Sequence, residues 1–122
     1  MHGLTLKKEF EAMLLEALDE VLESILGESG KEVVYYHLQN SYGIRREDVP
    51  EKPEVFAECL NRIFGFGAKI IEDAIIKSLC SRLKTGCEGI KNAKFADFLK
   101  VLKEMAKKEQ QNRNQLFSFN QP

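Results

Sequence analysis

The chain is short of the features that mark membrane-spanning, secreted and metal-binding proteins. Its unbroken apolar runs are only a few residues long, whereas a transmembrane helix needs about 20. The N-terminus, Met1-His2-Gly3-Leu4-Thr5-Leu6-Lys7-Lys8-Glu9, lacks the basic-then-apolar order of a signal peptide. Its 3 cysteines, Cys59, Cys80 and Cys87, are odd in number and form no CxxC pair. Secreted disulfide frameworks show even counts in loop-rich chains, so the cysteines are read as reduced and the compartment as cytoplasmic. There are only 2 histidines, His2 and His37, too few for a His-based metal centre without further ligands at short spacing. No stretch alternates apolar and polar residues long enough to predict a strand, and no internal repeat is present.

What is there is ordinary for a folded soluble domain. The 122 residues are 43% apolar and 30% charged, too apolar for a disordered chain and long enough for one core of two helical layers. The net charge of −1 is unevenly spread. Residues 1–76 carry eight Lys/Arg and fifteen Asp/Glu, a balance of −7, and residues 77–122 carry ten and four, a balance of +6. A dipolar chain of this kind can pair with a second subunit or present a modest basic patch.

Helical spacing accounts for the apolar residues. Phe10, Met13, Leu14, Ala17, Leu18, Val21, Leu22, Ile25 and Leu26 follow steps of three and four, and Gly27 is a fitting stop. Ser29 and Glu32 match a capping box for a second helix through Val34, Tyr35, Leu38 and Tyr42, ended by Gly43. Residues 44–52 read as a charged connection, and Pro53 suits the first turn of a third helix with Phe56, Cys59, Leu60, Ile63 and Phe64 on one face. Gly65-Phe66-Gly67 breaks it. A fourth helix carries Ala68, Ile71, Ala74, Ile75, Leu79 and Leu83 in register, with Ile70 and Ile76 widening the face. A fifth carries Phe95, Phe98, Leu99, Leu102 and Met105. The expected fold is all-α, a compact bundle of about five helices over residues 1–109, followed by a polar, flexible tail over 110–122.

Residues 33–84 carry the string Val33-Val34-Tyr35-Tyr36-His37-Leu38, then Tyr42-Gly43-Ile44, Glu47-Asp48-Val49-Pro50-Glu51-Lys52-Pro53-Glu54 and Ile63-Phe64-Gly65-Phe66-Gly67-Ala68-Lys69. This string resembles small archaeal helical proteins and an archaeal two-component output domain. The resemblance implies a helical regulatory module in signal transduction and brings no catalytic residues with it.

The chemical constellations each lack a partner. The Gly65–Gly67 turn with Lys69 could cradle an anion, but the Gly-Lys-Ser/Thr of a P-loop and its preceding strand are missing. With Tyr36 and His37, these residues (Gly65, Gly67, Lys69) form the candidate pocket of a small-ligand sensor. Cys87, in a turn with Lys and Gly, is the more reactive thiol by context, yet no His or Asp neighbour completes a nucleophile. Glu47-Asp48 and Glu72-Asp73 would serve acid–base chemistry only if buried. Lys100, Lys103, Lys107 and Lys108 on the fifth helix could meet nucleic-acid phosphates, but their face has no interleaved aromatics and the acidic first half repels a polyanion. No catalytic residue, metal or cofactor is assigned, and no membrane partner is expected.

The first helix carries a broad apolar stripe. One side can serve the core and the other a second copy, since two-fold dimers are the commonest assemblies. Phe10, Leu14, Leu18, Val21, Leu22 and Ile25 are the candidate dimer contacts. The functional expectation is a non-catalytic regulatory or protein–protein interaction module acting as a homodimer. The alternatives are a nucleic-acid-binding regulator and a ligand sensor.

Overall fold

A computed structural model describes residues 2–83, with side chains from residue 8, together with residues 95–97, 99, 100 and 104. The described residues are all-helical, with no strand among them. Three α-helices are present: α1 (His2–Tyr42), α2 (Pro53–Phe64) and α3 (Ala68–Leu83). Short 3-10 turns at Arg46–Asp48 and Gly65–Gly67 lie between them. Of the expected fifth helix, residues 95–97, 99, 100 and 104 are helical. Phe98, Leu102 and Met105 lie outside the described residues, as does the tail 110–122.

The two helices expected over residues 7–42 are the arms of α1. The interruption is a single residue, Gly27, at φ 79° and ψ 170°, a conformation open essentially to glycine alone. Ser29, expected as a cap, falls inside α1. The arms fold back on each other. In a straight helix residues 19 and 35 would stand about 24 Å apart, at a rise of 1.5 Å per residue. Instead Tyr35 Oη donates to Asp19 Oδ1 at 2.7 Å, and closer to the bend Lys31 Nζ reaches Glu23 at 3.2 Å. Gly30 lets the turn close, since a Cβ there would meet Leu26 Cβ at 2.5 Å.

The second arm ends in a left-handed glycine cap with the 5→1 bond of the αL motif. Gly43, at φ 69°, donates to Gln39 O at 3.0 Å, and Ile44 donates to Leu38 O at 3.4 Å. Leu38 and Ile44 are both buried in the core. The connection after it is less exposed than its charges suggest, because Val49 is fully buried and Pro50 is buried with it. Pro53 then occupies the first turn of α2, and Gly65 caps its end at φ 56°, donating to Asn61 O.

One continuous core joins these elements. The first arm supplies Phe10, Leu14, Leu18, Val21 and Leu22, and the second arm Val34 and Leu38. From α2 come Phe56, Cys59 and Leu60, and from α3 Ala68, Ile71, Ile75, Leu79 and Cys80. Phe95 and Leu99 close it, with Phe95 tilted against Phe56 at 6.1 Å between ring centroids. The core contains no buried polar or charged residue among those described.

Two expectations are corrected here. Ile70, expected to widen the core face of α3, is 67% exposed, because α1 and α2 cover only the Ile71–Ile75–Leu79 side. Cys80, expected reduced, is disulfide-bonded to a partner outside the described residues. It sits in the last turn of α3. Cys59 is a free thiol buried in the core, and Cys87 lies outside the described residues.

Candidate interaction surface

Polar contacts set the register of the helices. Asp19, on the first arm, takes Arg46 in a two-pronged ion pair, Nη2 to Oδ2 at 2.6 Å and Nε to Oδ1 at 3.0 Å, besides the Tyr35 hydroxyl. Partial burial pushes the Asp19 carboxyl up, but the hydrogen bonds from Arg46 and Tyr35, with the charges of Arg46 and Lys31, outweigh it. They hold the group below its ordinary value. Burial, and then the Asp19 carboxylate, push the Tyr35 phenol well above the usual range. This cluster straps both arms and the Arg46–Asp48 turn together.

A second cluster aligns α3 with the first arm. Arg82 donates to Glu16 at 2.8 Å and to Glu20 at 2.6 Å, and Ser78 donates to Glu20 at 3.4 Å. Residue 82 thus lies beside 16–20 and residue 78 beside 20, so the two helices run antiparallel. At a common rise per residue, continuing that register brings Ile70 level with the Gly27 bend. The start of α2 gives an independent check. Pro50, Glu51 and Pro53 share a shallow cavity with Phe10 and Leu14, far from the bend. The 12 residues of α2 span about 18 Å, enough to bridge from there to the level of the bend. The Gly27 bend and the Gly65–Gly67 elbow therefore occupy the same end of the molecule.

Apolar side chains are exposed there. Six large hydrophobic residues are exposed among those described: Ile25, Val33, Tyr36, Ile63, Phe66 and Ile70. Four of them, Ile25, Ile63, Phe66 and Ile70, belong to the bend and the elbow. Phe66, at the tip of the elbow, is 103% exposed. Single exposed apolar residues are ordinary, but a group sharing one end of a small domain marks an interaction site.

The candidate residues separate into three fates. Of the proposed dimer contacts, Phe10, Leu14, Leu18, Val21 and Leu22 are buried in the chain's own core. This corrects the expectation of a spare apolar face on the first arm: the second arm, α2 and α3 cover it. Ile25 alone of that set is exposed, at 45%. The pocket candidates form no enclosed site among the described residues. Tyr36 and His37 are exposed on the second arm, edge to face at 5.9 Å, while Gly65 and Lys69 are exposed at the elbow and Gly67 is half-buried there. A cavity of about 100 Å³ elsewhere is lined by Phe10, Leu14, Pro50, Glu51, Pro53, Leu99 and Lys100. Of the basic candidates, Lys100 is exposed beside that cavity, and Lys103, Lys107 and Lys108 lie outside the described residues.

Other chemistry is sparse. Among the described residues no three His, Cys, Asp or Glu side chains converge on a common point, and no helix is long and apolar enough to cross a membrane. Burial raises the pKa of the Cys59 thiol, which keeps it a poor nucleophile. Partial burial, then the charge of Asp73, raises Glu72. Asp73 itself is exposed.

Sequence reasoning missed Phe66, because an aromatic residue between two turn glycines carries no periodic signal. The chain matches no protein-family model, no curated protein and no solved structure.

Proposed function

We propose that the chain is a non-catalytic, regulatory protein–protein interaction module, acting as a homodimer through the apolar residues exposed at the Gly27 bend and the Gly65–Gly67 elbow. The carrying observation is the full exposure of Phe66 beside Ile63 and Ile70. The module is a bundle of five helices, counting each arm of α1 separately. The burial of Phe95 and Leu99 against the core supports the fifth. A role in archaeal signal transduction is part of the proposal and rests on the resemblance of residues 33–84.

The polar clusters favour binding over catalysis. Asp19, Arg46 and Arg82 are engaged in ion pairs between elements, a use of charge that fixes helix register.

The test is site-specific photocrosslinking in the cells that make the protein. A benzophenone side chain is placed at Phe66 and, as a control, at the exposed Lys77 on α3. Protein adducts at position 66 and none at position 77 are expected. Equal labelling at both positions, or none at 66, would sink the reading.

A further inference from the structure

Away from the bend, Phe10, Leu14, Pro50, Pro53 and Leu99 wall the cavity of about 100 Å³, with Glu51 and Lys100 completing its lining. The five apolar residues are all buried, so the core holds these walls in place before anything enters. A dry cavity of about 150 Å³ in a protein takes up benzene. The volume here therefore suits one side chain of phenyl or isobutyl size and little more.

The end of the chain carries such side chains. Past Lys108 the sequence is Gln, Asn and charged residues, except for Leu116-Phe117-Ser118-Phe119 and the final Pro122. A stretch this polar cannot build a core of its own, so its apolar side chains gain burial only by docking elsewhere. In an extended segment Phe117 and Phe119 fall on the same side.

We propose that this cavity is a docking site for the chain's own C-terminal segment, receiving an aromatic ring of the Phe117–Phe119 pair. Length permits it. The stretch that contributes Leu99 and Lys100 is helical at Glu104, about 6 Å of helix rise beyond Lys100. Twelve residues lie between Glu104 and Phe117, and extended they span about 40 Å, ample for the chain to double back. Charge favours it. Within four positions of a lining residue the chain has nine acidic and six basic residues. Residues 105–116 carry Lys107, Lys108 and Arg113 against Glu109 alone, the complementary balance. Tethering favours this occupant over a separate one, because a ring on a short linker is present at an effective concentration near millimolar. The site is separate from the exposed residues at the bend and elbow and does not depend on the interaction-module reading.

The experiment is NMR on the full chain with leucine and isoleucine methyl groups labelled. Nuclear Overhauser contacts are expected from the Phe117 or Phe119 ring to the Leu14 and Leu99 methyls, unchanged on tenfold dilution. In the double variant Phe117→Ser, Phe119→Ser those contacts are lost and the Leu14 and Leu99 signals shift, while those of Ile63 and Ile70 stay in place. Should the double variant lose helicity by circular dichroism, the wild-type contacts alone decide. Absence of those contacts overturns the inference, as does a folded double variant whose Leu14 and Leu99 signals match wild type. Contacts to Ile63 and Ile70 instead would put the segment on the elbow. Contacts seen only between differently labelled copies, and lost on dilution, would make the occupant a second copy's segment. Either result also overturns docking in this cavity within one chain.

Discussion

Asp19 and Phe66 show how differently two side chains in one small domain can be employed. Asp19 is the junction of three segments, and removing its carboxylate strands Arg46 and Tyr35 together. Asp19→Ala is therefore expected to cost about 1–3 kcal/mol, more than an exposed ion pair, because the partners are half-buried and lose a charged acceptor. Thermal denaturation of the variant measures it. The same carboxyl sets a pH dependence. Its folded pKa lies below its unfolded value, so its contribution is complete above the unfolded value and fades as pH falls through the folded one. Acid titration of unfolding free energy should show this loss below about pH 4, and Asp19→Asn should flatten it. Phe66 has no such partners. Phe66→Ala should change monomer stability by no more than about 0.5 kcal/mol, whereas Phe56→Ala in the core should cost about 3–5 kcal/mol. Comparable losses at both positions would mean that Phe66 is covered within its own chain.

At the level of elements, α1 depends on its bend. Gly27 lies in backbone space that a side chain enters at a cost of about 1–3 kcal/mol, and a Cβ at Gly30 would overlap Leu26 Cβ. Gly27→Ala and Gly30→Ala should each lower the urea midpoint, with the double variant losing the Tyr35–Asp19 contact first. Hydrogen exchange in the second arm reads that opening. Leu18→Glu separates the two pictures of the first arm. On a spare dimer face it would split a dimer and leave a folded monomer. At its observed position, with no exposure at all, it buries an unpaired carboxylate and should abolish the circular dichroism of the fold.

Over the whole molecule, what could be read in advance depended on sequence distance. The helical stripes were legible because each repeats every three or four residues. Leu14–Leu18–Leu22, Phe56–Leu60 and Ile71–Ile75–Leu79 are buried as that spacing requires. Gly43, Pro53 and Gly65 were legible as punctuation because each answers a local backbone demand. The strap from Asp19 to Arg46 spans 27 residues, and no local pattern pairs them. Nor does periodicity tell which helix covers a stripe, so the first arm looked wider than its own core needed. Of the first-arm candidates, Ile25 is the one the fold leaves exposed. Phe66 and Ile70 required the fold, which turns them to the bend's end of the bundle. That placement makes salt a decisive probe. Raising NaCl from about 0.1 M to about 1 M shortens the screening length from about 10 Å to about 3 Å, whereas contact between apolar side chains is not screened. Self-association through the exposed Phe66, Ile63 and Ile70 should therefore hold or tighten as salt rises, read by sedimentation equilibrium, and an association lost between those two concentrations would belong to charged groups and remove Phe66 from the interface.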